Sequence, residues 1–438
     1  MSSSPWNPDA PSAVRIRGAR TLGEPRDAAE VVFRGSWVAK EGLAGPAIDV
    51  DAEGDWLLPG WIDLQVNDLA WLSQGLRSPA EHAARIRDVV RYQSERGVTG
   101  IVLATVAAPI EEVIAYLEGA AAVQAGREPL DGVLLGVLVE GTFMNPAFSG
   151  AHNPAHVRPP GVELLDRLLA TGGLRLLNVA PEASEEALDV IARASERGII
   201  VGCGHAKPSG DRVREAVRAG LRYVIHLGNG PTGSSLKGFA GGGLMEEALR
   251  NDAVFATVIA DGIHLDRRIV RDIIARKEIE RVAALSDAGF AMGFPRGEFS
   301  AFGVHGEAST DGRYLRVLPQ EGAQLPNPLS SDVAMLFGSA VGMREVFENL
   351  LNWLSVEMEG IHTRRHAALP FDEALRAASA LTSGNPARLL GEAERGHLRP
   401  GERADAVLAR IRGGPGEYGV EVRDVWVGGR RIKARSNA

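Results

Sequence analysis

Eight short apolar runs recur along the middle of the chain, and several of them end in a residue that can bind a metal or move a proton. Four such residues are a glutamate, two histidines and an aspartate, namely Glu140, His205, His226 and Asp287. Helical patterns lie between the runs, so the alternation predicts a parallel sheet, and the number eight favours a closed barrel. The predicted strands cover residues 58–66, 98–106, 133–141, 174–181, 198–204, 222–227, 254–261 and 281–287.

The two ends of the chain have a different character from its middle. Residues 1–58 and 391–438 carry short β-like pieces separated by turn residues, and residues 1–10 are expected to be a disordered tail. We therefore predict a (β/α)8 TIM-type barrel over residues 59–390 and a small β-sandwich subdomain built from both chain ends. After the eighth strand we expect an irregular stretch at 289–331, followed by helices at 332–357 and 371–380.

Bulk properties limit the classes of partner. The 438 residues carry a net charge of −8, which argues against nucleic acid because phosphate binding needs a basic surface. The single cysteine, Cys203, excludes an intramolecular disulfide and a cysteine-rich zinc site. No apolar stretch approaches the ~20 residues that span a bilayer, and the N-terminus lacks an apolar signal region. We expect a cytoplasmic protein with no membrane partner.

The strand-end residues form a set with a known chemistry. One carboxylate and two imidazoles, here Glu140, His205 and His226, are a common catalytic zinc set that leaves a position for water. Such a metal lowers the pKa of its water towards ~7. Asp287 follows the eighth strand, where a carboxylate can accept the proton of that water and pass it to a leaving nitrogen.

Motifs around these residues resemble a known family. The chain is similar to the amidohydrolase superfamily, and within it to the N-acetylglucosamine-6-phosphate deacetylases, over roughly residues 50–410. The motifs that carry the resemblance are LLPGWIDLQVND (57–68), LVEG (138–141), GAHNP (150–154), GHAKPSG (204–210), HLGNG (226–230), ADGIHLD (260–266), LSDA (285–288) and LFGSA (336–340).

The resemblance implies an activity and a role for each matching residue. It implies a hydrolase that removes acetate from an N-acetyl amino sugar, with Asp287 as general base and then acid, and His152 polarising the acetamide carbonyl. It implies one divalent ion on Glu140, His205 and His226, with Zn²⁺ expected first and Fe²⁺, Mn²⁺ or Co²⁺ as alternatives. The implied substrate-binding residues are Ala151, His152, Asn229, Gly230, Lys237, Asp261, His264, Leu336, Phe337 and Gly338.

Three departures from the superfamily patterns matter. Gln65 and Asn67 occupy the positions of a His-x-His pair that often binds a second metal, and strand four (LRLLNVAPE) has no lysine to bridge two ions. Both favour a single metal. Lys237 stands where the family commonly has a phosphate-gripping arginine, and keeps the charge without the bidentate fork. In related proteins this residue reaches across a dimer interface, so a homodimer is expected.

Several alternatives remain open. The substrate is N-acetylglucosamine 6-phosphate by first expectation, with a non-phosphorylated or galactosamine-type N-acyl sugar, or a cyclic amide, as alternatives; a sugar sensor without catalysis is a further one. Phenylalanines at 290, 294 and 299 either form an apolar substrate wall or pack ordinarily. His362 and His366 have helical metal-ligand spacing, but their neighbours look solvated, and GNGPTGSS (228–235) lacks the lysine of a phosphate-binding loop.

Overall fold

A computed structural model provides the fold. It describes residues 13–23, 27–40, 46–229, 242–301, 303–318 and 335–433. Along this described part of the chain, the structure contains no helix that is both apolar enough and long enough to cross a membrane.

The chain begins with five strands of a β subdomain. β1 pairs antiparallel with β2 and parallel with β4 and β5, and β2 continues into a hairpin with β3. Alternate residues of β1 are buried, so that Val14 and Ile16 face the core of the subdomain. The bounds are β1 Val14–Thr21, β2 Asp27–Arg34, β3 Trp37–Val38, β4 Ile48–Asp51 and β5 Trp56–Pro59.

Eight parallel strands follow and form the barrel, which confirms the predicted fold class. They run in sequence order around the sheet, and the last returns to the first through a bridge between Val66 and Ala288, where the Asn67 N–H donates to the Ala288 carbonyl at 2.8 Å. Their near-continuous burial is typical of parallel strands covered on both faces. The bounds are β6 Trp61–Asn67, β7 Val98–Thr105, β8 Leu134–Phe143, β9 Leu174–Val179, β10 Ile200–Cys203, β11 Leu221–Val224, β12 Phe255–Ile259 and β13 Val282–Leu285.

Helices cover the outside of the barrel. Their ends follow the sequence: Ser78 caps the second helix through a capping box with Glu81, and Gly220 ends another in a backbone conformation with φ of 127°. The bounds are α1 Leu69–Leu72, α2 Pro79–Ser94, α3 Ile110–Gln124, α4 Val162–Ala170, α5 Ala187–Glu196, α6 Gly210–Ala219, α7 Leu244–Arg250, α8 Arg267–Lys277, α9 Met343–Leu354, α10 Phe371–Ser379 and α11 Asn385–Leu390, with a π-helical turn at Ala380–Gly384 before α11.

The stretch after the eighth barrel strand corrects two predictions. Residues 289–331 were expected to be irregular, yet they contain three antiparallel strands, β14 Glu298–Ala301, β15 Val304–Ala308 and β16 Tyr314–Val317. A fourth strand, β17 Leu336–Ser339, pairs with β16 inside the predicted helix 332–357, which begins only at Met343. The strands have four or five residues each, too few to show a period in the sequence.

The last three strands return to the β subdomain. β18 (Ala406–Arg412) pairs with β5, placing Leu408 opposite Leu57, and β19 (Gly419–Val427) and β20 (Arg430–Lys433) extend the sheet. The two chain ends thus build one β subdomain, as predicted, around an eight-stranded sheet in the order β20-β19-β18-β5-β1-β2-β3 with β4 beside β1. The domain limits at 58/59 and 390/391 stay a prediction.

Candidate active site

Four candidate residues lie at one mouth of the barrel because of where their strands end. Glu140 stands in the last part of β8, while His205, His226 and Asp287 each come two residues after the end of a barrel strand. Gly141 lets Glu140 sit close to the neighbouring strand end, because a Cβ at position 141 would lie 1.9 Å from the backbone nitrogen of Ala107. The LVEG motif is therefore set by a close backbone approach.

Glu140, His205 and His226 converge on one point. Their ligand atoms lie within 4.8 Å of one another, and Glu140 Oε1 lies 2.9 Å from His226 Nε2 and 3.5 Å from His205 Nε2. Burial alone would raise the pKa of Glu140, but hydrogen bonds with His205 and His226 hold it well below its ordinary value. The carboxylate is thus kept ionised although it is buried.

The donor set fits a divalent cation. His205 Nδ1 lies 3.0 Å from the Phe148 carbonyl, which can only accept, so Nδ1 carries a proton and Nε2 is the nitrogen left to face Glu140 or a cation. His226 Nδ1 is buried and has no hydrogen-bond partner within the described ranges. One carboxylate and two imidazole nitrogens at this spacing are ligands that zinc accepts.

His152 presents a proton to the same point. The Ala107 N–H donates to His152 Nδ1 at 3.2 Å, so the imidazole proton is on Nε2, which lies 3.9 Å from Glu140 Oε2. Burial lowers the pKa of His152 to about 3, which keeps the ring neutral. A neutral N–H donor beside a metal set suits a carbonyl oxygen that gains negative charge.

Asp287 is held by Gln65 and Asn67, the two residues that stand where related proteins often have a His-x-His metal pair. Gln65 Nε2 and Asn67 Nδ2 both donate to Asp287 Oδ1, at 2.8 and 3.1 Å, so neither occupies Oδ2. Burial, and then the charge of Glu140, raise the pKa of Asp287 to about 8. This carboxyl group can therefore exchange a proton near neutral pH.

The three residues that follow strand ends also share an unusual backbone. Among the described residues, only five other than glycine have a positive φ, and three of them are His205 (49°), His226 (32°) and Asp287 (50°). Such conformations are unfavourable for residues with a Cβ and concentrate at functional sites. This concentration supports a functional role for the convergence independently of the side-chain chemistry.

Relatives of known name can now be compared with this geometry. The sequence profile of the amidohydrolase family matches residues 56–432. The chain belongs to the amidohydrolase family.

Two curated relatives illustrate the similarity within that family. The chain is 29% identical to the N-acetylglucosamine-6-phosphate deacetylase of Vibrio furnissii over 308 residues, 69% of this chain and 70% of that protein. It is 27% identical to the N-acetylgalactosamine-6-phosphate deacetylase of Escherichia coli O157:H7 over 390 residues, 88% and 89% of the two chains. The crystal structure of the N-acetyl-D-glucosamine-6-phosphate deacetylase of Mycobacterium smegmatis superposes with a TM-score of 0.73 at 23% identity, covering 96% of this chain and 100% of that one. The superposition shows the shared fold.

Asp261 and His264 lie together in the turn after β12. His264 Nδ1 lies 2.7 Å from Asp261 Oδ2, and Asp261 Oδ1 accepts the N–H groups of Ile263 and His264 at 2.8 and 2.9 Å. Burial would raise the pKa of Asp261, but the bond from His264 leads a set of contacts that lowers it. The pair is fixed by its own contacts, which leaves His264 only Nε2 for a ligand.

The remaining predicted substrate residues fall into four groups. Asn229 ends the turn that begins at His226, whose carbonyl accepts the Asn229 N–H at 2.9 Å. Leu336, Phe337 and Gly338 lie in β17, whose last residue, Ser339, donates its N–H to the Asp287 carbonyl at 2.7 Å. Ala151 is half-buried against the apolar cluster that contains Phe337. Gly230 and Lys237 lie outside the described residues.

The surroundings of the phenylalanines and of the second histidine pair are defined. Phe290 and Phe299 contact each other edge-on at 5.1 Å, Phe299 contacts Phe337 at 5.3 Å, and Phe294 is partly buried against the same cluster, so these rings pack together beside the four-stranded sheet β14–β17. A role in a substrate wall stays a prediction. The helix expected for His362 and His366 was wrong, because neither residue lies in a helix. His362 and most of its neighbours are exposed, as expected, whereas His366 is buried with Nε2 2.8 Å from Asp272 Oδ1.

Proposed function

We propose that this protein is a metal-dependent deacetylase that hydrolyses the acetamide of an N-acetyl amino sugar phosphate, with N-acetylglucosamine 6-phosphate as the first candidate. The observation that carries the proposal is the convergence of Glu140, His205 and His226 beside a proton carrier, Asp287, and a neutral donor, His152. Membership of the family and the names of the relatives confirm the expected class, a hydrolase acting on a linear amide bond.

Each residue has a distinct task in this reaction. A divalent ion held by Glu140, His205 and His226 would supply the Lewis acidity that makes water a nucleophile near neutral pH. Asp287 accepts a proton from the attacking water and keeps it in a buried site. His152 donates its Nε2 proton in a hydrogen bond to the carbonyl oxygen as charge develops there. Asp287 then returns the proton to the amine nitrogen, the C–N bond breaks, and acetate and the amino sugar are released.

The other predicted residues would bind the sugar and its phosphate. We assign Asn229, Gly230, Asp261 and His264 to the sugar and phosphate, Lys237 to the phosphate, and Ala151, Leu336, Phe337 and Gly338 to the pocket wall. The galactosamine-type substrate is a second candidate, because a relative of that name aligns with 88% of this chain. A cyclic amide is less well supported, because Gln65 and Asn67 serve Asp287 instead of a second metal.

Four finer properties complete the proposal. We propose Zn²⁺ as the native ion, with Fe²⁺, Mn²⁺ or Co²⁺ as alternatives, and one ion per chain. We also propose a homodimer and a cytoplasmic location, in keeping with a small-molecule sugar substrate. Metal analysis of the purified protein should find about one ion per chain. Two ions would contradict the assignment of Gln65 and Asn67.

An acetate-release assay tests the activity itself. Phosphorylated and free N-acetylglucosamine and N-acetylgalactosamine are each incubated with the metal-loaded protein, and acetate is measured by a coupled assay. We expect release from a 6-phosphate and little from the free sugars. The Asp287→Asn variant, prepared identically, controls for contaminating activity. Release by neither phosphorylated sugar from a metal-loaded protein would overturn the proposal.

A further inference from the structure

The three left-handed residues at the barrel mouth share a second feature, which lies one layer deeper in the barrel. A strand that ends in a positive φ turns its peptide away from the regular ladder, so a buried N–H there needs another acceptor. At each of the three places a buried polar side chain from an adjacent barrel strand supplies it. The three side chains are Asn178 on β9, Thr257 on β12 and Asp63 on β6.

The acceptors are matched to the three residues one by one. The N–H of Gly204, just before His205, donates to Asn178 Oδ1 at 2.8 Å. The N–H of His226 itself donates to Thr257 Oγ1 at 2.8 Å. The N–H of Ser286, just before Asp287, donates to Asp63 Oδ1 at 3.1 Å.

Each of these side chains also makes a second hydrogen bond. Asn178 Nδ2 donates to the carbonyl of Glu140 at 3.1 Å, so that this residue links two of the metal-ligand strands. Thr257 Oγ1 donates to the Val224 carbonyl at 3.0 Å. Asp63 Oδ2 accepts from Ser286 Oγ at 2.6 Å. Each of these three side chains therefore makes two hydrogen bonds with residues of neighbouring strands or of the connections that follow those strands.

We propose that Asn178, Thr257 and Asp63 form a support ring of positioning residues that holds the strained backbone of His205, His226 and Asp287 in the geometry the metal site needs. The inference rests on the proposed metal site. Its chemical meaning is that metal affinity depends on residues that touch neither metal nor substrate. Residues that orient metal ligands typically contribute about 10–100-fold in affinity.

Thr257 offers the sharpest test because two substitutions separate shape from hydrogen bonding. Thr257→Val keeps the shape and removes the hydroxyl, whereas Thr257→Ser keeps the hydroxyl. We expect Thr257→Val to weaken Zn²⁺ binding to the metal-free protein by about 10–100-fold, and Thr257→Ser to restore it to within about threefold of wild type. The dissociation constant is measured by competition with a chromogenic chelator, without substrate.

Thr382 provides a matched control. It is fully buried in the π-helical turn, and its Oγ1 donates to the Ala378 carbonyl at 2.8 Å. Thr382→Val removes the same kind of hydrogen bond away from the strand ends that hold the metal set. We expect it to lower the unfolding temperature of the metal-free protein while leaving the Zn²⁺ dissociation constant within about threefold of wild type. Equal Zn²⁺ affinities for wild type, Thr257→Val and Thr382→Val would overturn the support ring.

Asn178 gives a second variant with a larger expected effect. Asn178→Ala releases both the Glu140 and the His205 strand ends, so we expect a greater loss of Zn²⁺ affinity than for Thr257→Val. If Asn178→Ala does not fold, the comparison of Thr257→Val with Thr257→Ser tests the support ring by itself. The readout separates this inference from the proposed activity: tight Zn²⁺ binding that depends on Thr257, without acetate release, supports the ring and refutes only the deacetylase. Absence of Zn²⁺, Fe²⁺, Mn²⁺ and Co²⁺ binding to the wild type refutes both.

Discussion

The metal edge of the barrel mouth and its substrate edge are built in different ways. At the metal edge, Glu140, His205 and His226 stand at strand ends and share one point. At the proposed substrate edge, Asp261 and His264 satisfy each other after β12, and three other candidate residues stand on β17. We propose that the strand ends fix the reaction and that the connections between strands carry substrate selectivity, as expected for this fold.

The largest expected effect comes from replacing Asp287, the proposed proton carrier at the metal edge. Asp287→Asn keeps the size of the side chain and removes its ability to accept a proton, so we expect kcat to fall by about 10²–10⁴-fold. Metal content, measured by mass spectrometry, should be unchanged because Asp287 is not a proposed ligand. A variant that retains full turnover would remove Asp287 from the mechanism.

Replacement of His152 has the next largest expected effect. His152→Phe fills the same space without an Nε2 proton, and we expect kcat to fall by about 10²–10³-fold, with a smaller change in KM. Because burial lowers the pKa of His152 to about 3, the ring stays neutral from pH 5 to 9. The wild-type rate should therefore show no acid limb from this residue, and full activity in the variant would assign carbonyl polarisation elsewhere.

Lys237 tests the substrate edge alone. We expect Lys237→Ala to raise KM for a phosphorylated sugar by roughly tenfold, the effect of losing one charge-assisted hydrogen bond, with kcat nearly unchanged. Lys237→Arg serves as the matched control, because it keeps the charge and adds a bidentate fork. An unchanged KM in Lys237→Ala would show that the phosphate contact lies elsewhere.

The smallest expected effect concerns stability and follows from the burial of Asp287 and from its closeness to the charge of Glu140. The pKa of Asp287 is raised from 3.8 to about 8, so its contribution to stability is complete below pH 4 and is lost as the pH rises through 8. In metal-free protein, Asp287→Asn should therefore be more stable than wild type by about 1 kcal/mol or more at pH 8, and by less at pH 5. Urea unfolding in a chelator measures both.

Metal provides the internal control for this stability comparison. A bound cation offsets the charge of Glu140, so the advantage of Asp287→Asn at pH 8 should shrink when Zn²⁺ is added. A difference that is the same at both pH values would show that the pKa of Asp287 is not raised, and a difference that is unaffected by the ion would show that burial, and not the charge of Glu140, raises it.

The same contrast between strands and connections explains what the sequence reveals. The barrel strands were predictable because continuous apolar runs mark buried parallel strands, and the strand predicted at 98–106 is Val98–Thr105 in the structure. The strands β14–β17 were not predictable because four residues carry no period. Gln65 and Asn67 reach Asp287 only after the barrel closes, across more than 200 positions in sequence. A polar residue inside an apolar strand, such as Asn178 in LRLLNV, was the one available signal for the support ring.

The pairing of β5 with β18 has a consequence for how the protein is made. Leu57 and Leu408 are opposite each other in one sheet, although 351 positions separate them. At typical rates of synthesis, the first strands wait on the order of tens of seconds for their partner. During that interval β5 exposes an unpaired edge to every neighbouring nascent chain. Shortening the C-terminus before residue 406 would make that exposure permanent, and the newly made protein would be driven towards aggregation while its catalytic barrel remained complete in sequence.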